Sequence, residues 1–213
     1  MEEPRVKCFI SRTQKSNCYV VSSSDTCVVI DPGEVTEELL SYLNGRDVDY
    51  ILLTHGHYDH IAGVKSLKTL TDAQVGIHHL EASWLLDPVL NRSSNTSKHI
   101  YCDWPDILFD GEEVIQCASI SIKVLFTPGH SPGSISYLIE DKFVFTGDTL
   151  LSGFVGAVHL PQSDRELLKQ SIQKKILTLS NEVIVYPGHG QKSTIKFERR
   201  NKTIPNTKEF FII

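Results

Sequence analysis

Residues 50–54, Tyr-Ile-Leu-Leu-Thr, are an apolar run followed at once by His55, Gly56, His57, Tyr58, Asp59 and His60. Three imidazoles and one carboxylate within six positions, at the end of a strand-like segment, leave few folds open. A hydrophobic core has no partners for so many polar side chains, and each one buried without a hydrogen bond costs free energy. Such a cluster belongs on a loop held by the end of a rigid sheet. Imidazole and carboxylate donors suit zinc, and also iron or manganese. If the chain leaves the strand extended, His55, His57 and Asp59 point to one side, because side chains alternate. A helix beginning near Asp59 turns each residue by about 100° and aims His60 elsewhere. One short segment can thus serve two neighbouring cations, His55 and His57 the first, Asp59 and His60 the second.

The bulk properties set limits around this cluster. The 213 residues, with 40% hydrophobic and 22% charged side chains, are those of a globular protein, expected as one domain over residues 1–213. A net charge of -5 speaks against a nucleic-acid surface. No run of about 18 apolar residues marks a membrane span. The acidic N-terminus lacks the apolar core of a secretory signal. The five cysteines are odd in number, widely spaced and without a CxxC pair. Reduced thiols and a cytoplasmic location are the expectation. The sequons at Asn91, Asn95 and Asn201 then carry no modification.

Turn residues divide the chain into short elements. Strands are expected at 7–10, 17–21, 27–30, 50–54, 75–78, 119–126, 135–139, 142–146 and 182–186, with a hairpin across Glu140-Asp141. Helices are expected at 34–43, 59–70 and around 80–86. Another opens at Ser163-Asp164-Arg165-Glu166, which has the form of a capping box, and carries Leu168, Ile172, Ile176 and Leu179 on one face. Residues 90–98 are polar and read as a mobile flap. Strands followed by helices imply sheets flanked by helices, an α+β architecture.

Three further strands end in turns with a ligand-type residue: Thr127-Pro128-Gly129-His130, Gly147-Asp148 and Pro187-Gly188-His189. Glycine beside each lets the backbone approach a crowded site. Singly, each is an ordinary turn; with the six-residue cluster they form a set.

In the order Asp31, His55-x-His57-x-Asp59-His60, His130, Asp148, His189, the chain resembles the metallo-β-lactamase-fold hydrolases. The phrases Ile30-Asp31-Pro32-Gly33, His130-Ser131-Pro132-Gly133-Ser134, Gly147-Asp148-Thr149-Leu150 and Pro187-Gly188-His189-Gly190 are similar to the glyoxalase II-like (hydroxyacylglutathione hydrolase-like) branch. The resemblance implies a four-layer αββα sandwich with two zinc ions at one edge of its sheets, or iron or manganese in their place. It assigns His55, His57 and His130 to one metal and Asp59, His60 and His189 to the other, with Asp148 bridging. Asp31 is expected to orient the site without binding metal.

The implied reaction is hydrolysis by a metal-activated water, oriented by Asp59. A thioester such as a hydroxyacyl-glutathione is a natural substrate, because its thiolate leaves with a pKa of about 8.5. Two departures bear on the substrate. Gly156-Ala157-Val158-His159 stands where the branch has a Gly-Arg-x-Asp phrase. The helical C-terminal domain that helps the family's full-length members bind glutathione has no counterpart before Ile213, and the expectation is a pocket partly missing or replaced. Three alternatives stay open: a mononuclear Fe(II) persulfide dioxygenase using His55, His130 and Asp148, a lactone or ester hydrolase, and a non-catalytic interaction module. The expected partner is a small molecule, a glutathione or other thiol conjugate among them, with oligomerisation open. Lys192, Lys196, Arg199 and Arg200 read as a solvated helix face, His78 and His79 as structural, and His159 as a surface residue. Trp84 and Trp104 read as core or flap packing. The apolar tail Phe210-Phe211-Ile212-Ile213 is expected to dock on the domain or on a second subunit.

Overall fold

The computed structural model describes residues 3–24 and 26–200, so the apolar tail and Asn201 lie outside the described residues. The first sheet has six strands in spatial order β1 to β6: Arg5–Ile10, Asn17–Ser23, Thr26–Ile30, Asp47–Leu52, Gln74–His78 and Ile107–Phe109. β1, β2 and β3 pair antiparallel, and β3 to β6 run parallel. The second sheet begins with β7 (Val114–Cys117), β8 (Ile120–Phe126), β9 (Ile135–Ile139) and β10 (Phe143–Gly147). A small ribbon of β11 (Leu150–Leu151) and β12 (Phe154–Val155) follows, and β13 (Ile184–Pro187) and β14 (Ser193–Thr194) complete the sheet in the order β14-β13-β10-β9-β8-β7.

Alternation along the strands builds the layers. Tyr19, Val21, Val28, Ile30 and Leu52 face Ile122, Val124, Tyr137 and Phe145 in a core between the two sheets. Their neighbours Cys18, Val20, Cys27, Val29 and Ile51 face outward and pack under helices α1 (Glu37–Leu43) and α3 (Val64–Thr71). On the far side Leu138, Val144 and Val185 pack under α4 (Arg165–Ser171, numbered after the short α2, Tyr58–Ile61) and under α5 (Ile195–Arg200). Three cores between four layers give the αββα sandwich expected. The parallel pairings matter most for function. Because β3 to β6 run one way, and β10 pairs parallel with β13, the carboxyl ends of β4, β10 and β13 each come to a shared edge. β8 reaches the same edge through the antiparallel β9.

Local departures from expectation have local causes. The first helix starts at Glu37, not at 34, because Thr36 Oγ1 caps it by accepting from Leu39 N–H at 3.2 Å. Glu34 meanwhile accepts from Arg12 N–H at 2.7 Å. The helix expected over 59–70 is two helices, α2 and α3. At the break Gly63 N–H is drawn to Pro32 O at 2.7 Å. The capping box is displaced by one residue: Asp164, not Ser163, caps α4 by accepting from Leu167 N–H. Helix α4 then runs into a π-helical turn, Ile172–Ile176, that still buries Leu168, Ile172 and Ile176. The hairpin at Glu140-Asp141 is confirmed, both residues lying at φ 52 as a type I′ turn requires.

Candidate metal centre

All seven residues singled out by sequence arrive at the shared sheet edge. His55, His57, Asp59 and His60 follow β4, His130 follows β8, Asp148 follows β10 and His189 follows β13. Ligand atoms of His55, His57 and His130 lie within 4.8 Å of one another, and so do those of Asp59, His60 and His189. Asp148 stands between the two groups. Its Oδ1 is 3.7 Å from His60 Nε2, and its Oδ2 is 3.7 Å from both His130 Nε2 and His189 Nε2.

Hydrogen bonds at the back of the site settle which nitrogen faces inward. Asp31, held at φ 51, accepts from Thr54 N–H at 2.8 Å, from Thr54 Oγ1–H at 2.6 Å and from His60 Nδ1–H at 3.0 Å. Thr54 has one hydroxyl proton, and Asp31 takes it. Thr54 Oγ1 must therefore accept from His55 Nδ1–H, 3.1 Å away. Both imidazoles thus turn Nε2 inward. His130 is set the same way, its Nδ1–H donating to Ala157 O at 3.0 Å. A third grouping, Asp31 with His55 and His60, is also compact. Asp31 already accepts from three donors, which tie it to Thr54 and His60 at the back of the site.

The inward atoms are short of partners. Among the described residues five buried side-chain nitrogen or oxygen atoms lack a hydrogen-bond partner, and His55 Nε2, His60 Nε2 and Asp148 Oδ1 are three of them. Such atoms are rare in folded proteins, and here they converge on one spot. Burial and the neighbouring imidazoles push His55 and His57 well below the ordinary histidine range, and burial pushes His130 down as well. These three are neutral, with lone pairs to give, and His57 Nδ1 and His130 Nε2 stand 3.0 Å apart. The second group is electrostatically different. Burial works downward on His60, but Asp59, Asp148 and Asp31 outweigh it and raise it to about 10. Burial would raise Asp59, yet His60 and His189 hold it well below the carboxylate range. The carboxylates favour positive charge there, carried by a proton or by a divalent cation. The donor set fits a pair of divalent cations.

Glycine is needed for this crowding. A Cβ on Gly188 would lie 2.2 Å from Asp148 Oδ1 and 2.8 Å from His60 Cε1. Gly129, at φ +134 just before His130, would place one 2.2 Å from the Leu168 backbone nitrogen.

The centre opens into a cavity of about 590 Å³, lined in part by Lys15, Tyr58, Arg92, Leu151, Val155 and His159. His159, expected at the surface, is exposed on this lining. Residues 90–98, expected as a mobile flap, are anchored. Asn91 is fully buried and donates to Trp84 O and Ile100 O, and Asn91 O accepts Tyr58 N–H. Its burial also removes that sequon from solvent. Trp84 packs beside the His57 ring, whereas Trp104 is exposed. His78 stacks on Phe126 and His79 pairs with Asp110, the structural parts expected of them. Arg199 is more than a solvated charge, since it donates to Leu177 O and Leu179 O. The five cysteines are free thiols, four of them buried. No helix among the described residues is long and apolar enough to cross a membrane.

Sequence reasoning passed over Thr54, the Ala157 carbonyl and Glu81, a buried carboxylate behind the His55–His57 loop. None sits in a motif of ligand-type residues, and a backbone carbonyl has no signature in sequence.

Comparison with known proteins agrees with this geometry. The profile of the metallo-beta-lactamase superfamily matches residues 12–189. The probable metallo-hydrolase YqgX of Bacillus subtilis is 34% identical over 189 residues, covering 87% of this chain and 90% of that protein. The hydroxyacylglutathione hydrolase GloC of Haemophilus influenzae is 30% identical over 200 residues, covering 91% and 94%. Among solved structures, the BLEG-1 B3 metallo-beta-lactamase superposes with a TM-score of 0.90 at 34% identity, covering 95% of this chain and 100% of that one.

Proposed function

The chain belongs to the metallo-β-lactamase superfamily of metal-dependent hydrolases, and from that premise we propose that it is a binuclear zinc enzyme that hydrolyses thioesters. The observation that carries the reading is the convergence of the partnerless His55 Nε2, His60 Nε2 and Asp148 Oδ1 between two compact donor groups. His55, His57 and His130 would hold one cation, Asp59, His60 and His189 the other, and Asp148 would touch both. Two such cations supply a hydroxide at neutral pH and an electrophile for a carbonyl oxygen.

The residues supply the rest. The Asp31–Thr54 pair keeps His55 and His60 in the orientation that offers Nε2. The Ala157 carbonyl does the same for His130. Asp59, held below the carboxylate range by His60 and His189, would accept a hydrogen bond from the attacking hydroxide and so aim it. Its low pKa makes it an orienting acceptor rather than a strong base. The departing thiolate needs little protonation, so the site requires no separate acid. Arg92 and Lys15 on the cavity lining favour a substrate with an anionic end, which fits a glutathione or similar thiol conjugate. The similarity to a hydroxyacylglutathione hydrolase supports the same substrate class. Reduced thiols support a cytoplasmic location.

Metal analysis combined with turnover tests the reading. Two zinc per chain are expected, with hydroxyacyl-glutathione hydrolysis that is lost on chelation, restored by zinc and abolished in His57→Ala. A protein that carries one iron and consumes oxygen with glutathione persulfide would overturn it. So would a β-lactam turned over in preference to every thioester tried.

A further inference from the structure

Glu81 lies in the 3-10 helix His79–Leu86, contacts none of the seven candidate ligands by hydrogen bond, and is fully buried. Its Oε2 accepts Gly56 N–H at 2.6 Å, and its Oε1 accepts Gly133 N–H at 2.7 Å. Gly56 sits between His55 and His57, on the loop that leaves the first sheet. Gly133 sits on the turn that carries His130, on the loop that leaves the second. One carboxylate therefore grips both loops from which the first donor group is assembled.

The packing around it is close. A Cβ on Gly133 would lie 2.8 Å from Glu81 Cγ, and a Cβ on Gly56 would lie 2.9 Å from Trp84 Cβ and 3.3 Å from Glu81 Oε2. The groups that act on Glu81 are burial, the Ser131 hydroxyl and the two glycine N–H groups, with no lysine or arginine among them. A buried carboxyl without a cation is costly in a core. It is the side chain that offers two oxygen acceptors side by side with no N–H of its own, which two backbone N–H donors from separate loops require. A glutamine there would turn an NH₂ group toward one of those donors.

We propose that Glu81 is a positioning residue, a strap that sets the distance between the His55–His57 loop and the His130 loop and so tunes the first metal position selectively. The proposal rests on the binuclear reading above. Of the second group, His189 hangs on neither gripped turn, and Asp59 and His60 follow Gly56 only through the first turn of α2, so the second position is held by one gripped loop rather than two and serves as a comparison in the same molecule.

The test compares the wild-type protein with Glu81→Gln and Glu81→Asp. Zinc affinity at both positions is measured by chelator competition, and amide exchange at Gly56 and Gly133 is measured on the metal-free chain. In Glu81→Gln, zinc at the first position should weaken by about 10- to 100-fold, and by clearly more than at the second. Gly56 and Gly133 should lose protection together. If Glu81→Gln does not fold, the shorter carboxylate of Glu81→Asp, which cannot reach both amides, is read by the same ratio. Equal affinities at both positions in variant and wild type would overturn the strap, as would parallel weakening of both positions in a folded variant. A wild-type chain that binds no zinc would defeat the binuclear reading instead. Amide exchange would then decide the strap by itself: unchanged protection in the variant rejects it, and coupled loss supports it.

Discussion

At the scale of single residues, the site depends on atoms that never face the cavity. Asp31 is the clearest case, since it orients His60 directly and His55 through Thr54. Asp31→Asn preserves volume but replaces an acceptor by a donor. It should weaken zinc binding by about 10- to 100-fold in chelator competition; undiminished affinity would remove Asp31 from the site's machinery. Gly188→Ala should do more damage, because its methyl group would overlap the Asp148 carboxylate with backbone on the other side. Zinc stoichiometry below two per chain is the expected readout. Arg92→Ala should act on substrate binding alone. KM for an anionic thioester should rise several-fold with kcat little changed, whereas a neutral thioester should be unaffected. A fall in kcat with unchanged KM would place Arg92 elsewhere in the reaction.

At the scale of elements, local patterns carried far in the sequence and long-range contacts did not. The His55–His60 cluster was legible because its donors lie within six positions, and the hairpin because its turn chemistry is local. The break between α2 and α3 was not, since it depends on a carbonyl at Pro32 reaching Gly63. Nor was the anchoring of residues 90–98, which polar composition disguised and the burial of Asn91 accomplishes. The strands β6, β7, β11, β12 and β14 are short and are not among the strands expected from sequence. Each borrows its conformation from a neighbour rather than from its own pattern. The placement of α4 yields a prediction: Asp164 caps it, and Asp164 N–H holds Gly129 O at 2.7 Å. Asp164→Ala should cost about 1 kcal/mol in denaturant unfolding. Helix α5 has a pH signature. Burial raises the Glu198 carboxyl, while Ser193 and Gly153 N–H pull it down less strongly. Its folded pKa lies above the ordinary value of 4.5, so the folded state binds the proton more tightly. The stability it contributes is present below that value and is lost as pH rises through the folded pKa. Glu198→Gln should flatten stability over that window relative to wild type, as read from urea midpoints across pH.

At the scale of the whole molecule, each donor group draws on both sheets. His130 joins His55 and His57 across the sandwich, and His189 joins Asp59 and His60. Cations bound there would fasten the two sheets at their common edge. Metal removal should therefore lower the stability of the whole chain rather than of one loop. At zinc held 100-fold above its Kd, one position contributes about 2.7 kcal/mol. A chelated protein whose melting temperature equals that of the zinc-loaded form would contradict this. The same arrangement has a consequence for synthesis. A chain emerging from the ribosome has the three histidines of the first group once residue 130 is out, and Asp148 and the Ala157 carbonyl that orients His130 once residue 157 is out. The second waits for His189, on a strand that must still dock beside β10. Two cation positions there would therefore form one after the other. A nascent chain stalled between those points would be a one-cation protein by geometry alone.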